Sequence, residues 1–159
     1  QVPFLIPSYL RPMGILQNQD VYFMQQAILM AEHALQAEEV PVGAIIVSGT
    51  KIIAKAHNLV ERLHDPTAHA EMQAITAACN YFDSKYLPEC TIYVTLEPCA
   101  MCATAIFWAQ LGRLVYGAAD PKLGYTRFEN VLHPKTTVTS NIEAEKCILL
   151  LKDFFKGKR

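Results

Sequence analysis

One imidazole, two thiols and a carboxylate set this chain apart: His69-Ala70-Glu71, followed later by Pro98-Cys99-Ala100-Met101-Cys102. Histidine and cysteine are zinc ligands, and two cysteines three positions apart turn their sulfurs to one side of a helix. Three protein ligands leave one corner of a tetrahedral ion open, and in catalytic zinc sites that corner takes a water. Glu71 is two residues from the first ligand and is placed to move protons beside the metal. These types at these spacings point to a hydrolase that uses Zn2+, one ion per subunit.

Blander readings of the same residues exist. Cys90 as a fourth ligand would close the site into a structural zinc centre, although it sits before a strand, at the end opposite the proposed site. Cys99 and Cys102 as buried core thiols, or as a redox pair, would leave His69 and Glu71 without a role. Glu71 as a first-turn acid would suit the helix dipole alone. It is not part of a capping box, because Ala68 stands three residues before it.

Such a site needs a scaffold, and 159 residues suffice for one domain with one core. Over half of the residues are apolar or aromatic, 52%, which excludes a disordered chain. A formal net charge of −1 gives no global sign of nucleic-acid binding and leaves room for a local basic patch. Five cysteines, two of them in a CxxC, favour metal and a reducing compartment over a disulfide framework. No run is long and apolar enough to span a bilayer, so a cytoplasmic protein without membrane contact is expected. Residues 1–19 are expected to form a flexible or extraneous tail, with Met13 a candidate natural start, and residues 20–159 a single domain.

Along the chain, Asp20 is expected to cap a first helix whose apolar face is Met24, Ala27, Ile28, Ala31 and Leu35, ending near Glu39 before Pro41. Val42–Val47 and Lys51–His57 read as a hairpin around Ser48-Gly49-Thr50. The first of these strands is apolar on both faces, which makes it central, with helices on both sides. Asn58–Thr67 is a loop and His69–Asn80 a helix. Thr91–Thr95 is a strand. A helix then opens with Pro98 at its first position and stops at Gly112. Arg113–Gly117 is a strand, 118–135 a long loop, Thr136–Thr139 a short strand and Ile142–Lys156 a last helix. The alternation predicts an α/β fold, a three-layer α-β-α sandwich around a mixed five-stranded sheet. Both halves of the metal motif then lie at helix starts, where partial positive charge favours thiolate, and strands leading into them bring them to one sheet edge.

His69-Ala70-Glu71 with Pro98-Cys99-Ala100-Met101-Cys102 resembles the signature of the zinc-dependent cytidine and deoxycytidylate deaminase superfamily. Three further stretches, Glu39–Ala44, Asp65–Glu71 and Tyr93–Cys99, resemble the bacterial tRNA-specific adenosine deaminases, and the likeness runs from about Asp20 to the C-terminus. The resemblance implies a cytidine deaminase-like fold and hydrolysis of the wobble adenosine of a tRNA anticodon to inosine. It implies His69, Cys99 and Cys102 as ligands and Glu71 as the proton carrier to the ring nitrogen and the departing amine. It implies that Asn58 contacts the target nucleoside; residue physics alone makes Asn58 equally a turn residue closing its strand. It further implies a homodimer with the anticodon loop partly across the interface.

The chain departs from the bacterial pattern at Lys122-Leu123-Gly124-Tyr125-Thr126-Arg127-Phe128, where the family carries a Gly-Ser-containing stretch. Arg127, Tyr125 and Phe128 read either as a cation with stacking surfaces for RNA or as a packed loop. Asp120 either faces RNA or starts the Asp-Pro turn. Lys152, Lys156, Lys158 and Arg159 form the best basic cluster, or a solvated helix end. His33, His57, His64 and His133 fit no ligand spacing. Two alternatives to the tRNA reading stand: a deaminase of free guanine, cytosine or deoxycytidylate, and a non-catalytic zinc-stabilised binding module.

Overall fold

The run Gly43–Ser48 is buried along nearly all of its length, and a strand apolar on both faces must be covered twice. The computed structural model describes residues 13–158. It runs α1 (Met13–Gln36), β1 (Gly43–Ser48), β2 (Lys51–His57), α2 (Val60–Leu63), α3 (Ala70–Phe82), β3 (Cys90–Leu96), α4 (Ala100–Trp108), β4 (Arg113–Ala118), β5 (Thr137–Thr139) and α5 (Ala144–Lys156). The five strands order as β2-β1-β3-β4-β5. β1 is antiparallel to both neighbours, and β3, β4 and β5 are parallel. Four strands therefore point one way and β1 points back.

Odd and even positions of β1 feed two cores. Ile45 and Val47 pack with Phe23, Met24, Ala27 and Ile28 of α1, Tyr93, Val115, and Cys147 of α5. Ala44 and Ile46 pack with Ala70, Ala74 and Ala78 of α3, Ile106 of α4, and Ile92, Val94 and Leu114. This is the expected three-layer sandwich with its mixed five-stranded sheet. Alanines on α3 and a glycine at β1 let backbones approach closely: a Cβ at Gly43 would strike the Ala27 carbonyl of α1.

Several local expectations are corrected. Asp20 does not cap a helix. Helix α1 begins at Met13, so residues 13–19, expected in the tail, are helical, and Asp20 is buried within it. Its carboxylate accepts both arms of Arg113, at 2.7 Å each, and the Tyr93 hydroxyl at 2.8 Å. A charge-assisted fork outweighs the weak intrinsic cost of Asp in a helix. The expected tail at 1–12 lies outside the described residues. Pro98 precedes the cap of α4, which is Cys99, and α4 ends at Trp108 because Gln110 turns left-handed at φ 51°. The hairpin turn is the two residues Gly49-Thr50, with Gly49 at φ +62°. The loop after β2 contains the four-residue α2, and the long loop holds a 3-10 turn at Tyr125–Arg127.

Because β2, β3 and β4 run in one direction, their carboxyl ends share an edge, and the start of β1 joins them there. That edge collects Asn58, Glu97 and Asp120, with Val42 beside them, and all four line one cleft.

Candidate active site

His69 is the cap residue of α3 and Cys99 the cap residue of α4, and both hold extended backbone, with ψ of 154° and 171°. Neither side chain caps its own helix, so both are free to turn into the cleft. The first turn of α4 brings Cys102 alongside. His69 Nδ1 lies 3.7 Å from Cys99 Sγ and 3.6 Å from Cys102 Sγ. All three ligand atoms lie within 4.8 Å of one another. Zinc–sulfur bonds of about 2.3 Å and a zinc–nitrogen bond of about 2.0 Å at a tetrahedral angle require sulfur–nitrogen separations of about 3.5 Å, close to those observed. The donor set therefore fits zinc in chemistry and in spacing.

Cys90 is not part of this group. It lies at the start of β3, buried in the core. Among the described residues the metal-type cluster is His69, Cys99 and Cys102, and Cys90 is outside it. All five cysteines are free. The Cys102 thiol and the His69 ring pull Cys99 down to about 4, as their hydrogen bonds favour thiolate. Cys102, which makes that bond and is buried, is pushed up. The hydrogen bond with Cys99 raises His69.

Glu71 is buried at 4% exposure in the first turn of α3, and it lines the cleft. Burial pushes its carboxyl up to about 7. A group balanced near neutrality both takes and gives a proton. A first-turn acid serving the helix dipole alone has no need of that burial. Asn58 is also buried, and its Oδ1 accepts the Ala70 N–H at 2.9 Å, so it ties the end of β2 to the start of α3. It lines the cleft as well, which brings it together with His69, Cys99 and Glu71.

The cleft has a volume of about 1260 Å³. Its walls include two residues that sequence reasoning passed over as site groups, Glu39 and Glu97, each a buried carboxylate accepting backbone N–H groups. A charged residue flanking an apolar strand was the available signal. Helix α5 supplies Ile148, Leu151, Lys152, Phe155 and Lys156, and Lys158 follows. The basic cluster of the sequence therefore faces the site; Arg159 lies outside the described residues.

The profile of the MafB19-like deaminase family matches residues 17–159. A tRNA-specific adenosine deaminase of Aquifex aeolicus (strain VF5) is 44% identical over 87% of this chain and 95% of its own length. Another, of Rickettsia felis, is 47% identical over 86% of this chain and 100% of its own. The chain belongs to the tRNA-specific adenosine deaminase family. A solved structure from work on A-to-I editing by tRNA:A34 deaminases at the wobble position superposes with a TM-score of 0.77 at 38% identity, over 82% of this chain and 99% of that one.

Within this deaminase fold the departing loop is packed down. The Arg127 guanidinium donates to the Lys122 carbonyl, and Tyr125 sets its ring edge-on to Tyr116 at 6.3 Å. Phe128 stays half exposed. Asp120 Oδ1 accepts the N–H groups of Lys122 and Leu123 at 3.1 and 3.0 Å, as an Asp-Pro turn requires, and the residue still lines the cleft. His57 Nδ1 lies 2.8 Å from the Asn58 carbonyl and His133 packs on Phe107, so neither joins the ligands.

Proposed function

We propose that this chain is a zinc-dependent hydrolase that converts the wobble adenosine of a tRNA anticodon to inosine, releasing ammonia. The carrying observation is the convergence of His69, Cys99 and Cys102, with His69, Cys99 and the buried Glu71 on the wall of one large cleft. Zinc would be held by His69 Nδ1 and the two sulfurs, and when bound it supplies a Lewis acid that activates water at neutral pH.

The protein's own groups do the rest. Glu71 takes the proton that the attacking water gives up and passes it to the purine ring nitrogen, then carries the proton of the new C6 hydroxyl to the departing amine. Water adds at C6, the C6–N bond breaks, and a carbonyl remains. Asn58, already fixed by Ala70, holds the nucleoside with the rest of its side chain. An unpaired loop also presents its base at little unstacking cost. Lys152, Lys156 and Lys158 give the cleft the cations that a phosphate backbone needs.

The assembly we propose is a homodimer, for which Trp108, 71% exposed at the end of α4, offers apolar surface. The location we propose is the cytoplasm, which fits free cysteines and a tRNA substrate. Among the described residues, no helix is long and apolar enough to cross a membrane. Ammonia release from an adenosine-containing anticodon stem-loop, measured beside a panel of free bases and nucleotides, tests the reading. Turnover of the stem-loop is expected. Inactivity on it together with turnover of a free base would reject it.

A further inference from the structure

Glu97 sits between the last residue of β3 and the Pro98-Cys99 turn that carries the metal ligands, yet the chemistry above does not use it. It is 3% exposed and lines the cleft. Its Oε2 accepts the Asp120 N–H at 2.9 Å. Its Oε1 accepts the Thr126 N–H at 3.0 Å and the Thr126 hydroxyl at 2.7 Å. The carboxylate therefore clamps both ends of the 120–126 segment. The same segment is stitched to the ligand turn by the Tyr125 N–H on the Pro98 carbonyl, at 2.8 Å, and by a bridge between Cys99 and Gly124. Gly124 lies against the Glu97 carboxylate, and a Cβ there would collide with it.

We propose that Glu97 is a positioning residue for substrate specificity. It fixes the rim formed by Asp120, Pro121, Lys122 and Leu123 at a set distance from the ligand turn. The proposal rests on the tRNA-adenosine reading for its substrate, not for the clamp itself. Three donors converge on two oxygens, so the site needs a group that only accepts. A glutamine would keep one acceptor and turn an NH2 toward an N–H at one end of the loop, leaving that donor unpaired. The bonds of Glu97 go to the loop and not to the ligand side chains or Glu71, and Cys99 meets the loop through its backbone, so the thiols and the acid should stay in place. The clamp thus acts on how the substrate is gripped.

The test is steady-state kinetics on an adenosine-containing anticodon stem-loop, with zinc content and amide hydrogen exchange, for wild type, Glu97→Gln and Gly124→Ala. The second substitution pushes the loop off an intact carboxylate, so it decides the matter if Glu97→Gln does not fold. For both variants KM should rise by about tenfold or more while kcat changes less than about threefold and zinc stays bound. The amides of Asp120 and Thr126 should exchange at least about tenfold faster, with those of α3 and α4 unchanged. Wild-type KM and wild-type exchange in the variants would overturn the proposal. So would joint loss of zinc and kcat at unchanged KM, which marks a merely structural role. If wild type itself makes no inosine, the functional reading fails, and the exchange of the two amides still decides the clamp.

Discussion

Glu71 and Asn58 are buried polar groups, one an acid and the other an amide, and both lie on the cleft wall. If Glu71 carries the proton, Glu71→Gln keeps the shape and loses the transfer. Turnover should fall by about 10²–10⁴-fold with zinc content unchanged, measured by inosine formation and metal analysis. Asn58 has two separable jobs. Asn58→Asp keeps an acceptor for the Ala70 N–H, so its thermal midpoint should hold while KM for the stem-loop rises. Asn58→Ala loses both and should in addition cost about 1 kcal/mol of stability, read by urea titration. The ligands were legible because zinc chemistry admits few residue types and the cysteine spacing matches a helical turn. The structural half of Asn58 was legible only as a turn residue, because its partner N–H is twelve positions away.

Elements were readable wherever one physical pattern dominated. Two-faced apolarity placed β1 inside the sheet, and the helical period of Met24, Ala27, Ile28 and Ala31 gave the buried face of α1. Boundaries set by long-range partners were not readable. Asp20 looked like a cap, but its partners, Arg113 and Tyr93, lie 93 and 73 positions away. The same holds for Glu39 and Glu97, whose loop donors come from 22 to 29 residues further on. Gly43 was counted with its strand, and the reason for glycine appears only when α1 is laid across it. Gly43→Ala should drive a Cβ into the Ala27 carbonyl and cost about 1–3 kcal/mol in a denaturant melt, because helix and strand must part. A variant as stable as wild type would show that α1 and β1 are not so close.

For the whole molecule, a chain with net charge −1 gathers Lys152, Lys156 and Lys158 on one wall of its cleft. Global charge hid the patch, since charge balance says nothing of where the signs fall once α5 is docked. Changing these three lysines to alanine should raise KM for the stem-loop and flatten its dependence on salt, while activity per bound substrate holds. An unchanged salt slope would place the RNA elsewhere. The proposed open metal corner beside Glu71 carries the heaviest weight, because enzymatic and purely structural zinc differ there. Zinc K-edge X-ray absorption on the loaded protein tests it most directly. Two sulfur neighbours at about 2.3 Å and two lighter neighbours at about 2.0 Å are predicted, since His69 supplies only one of the light atoms. A shell of three or four sulfurs would contradict the account.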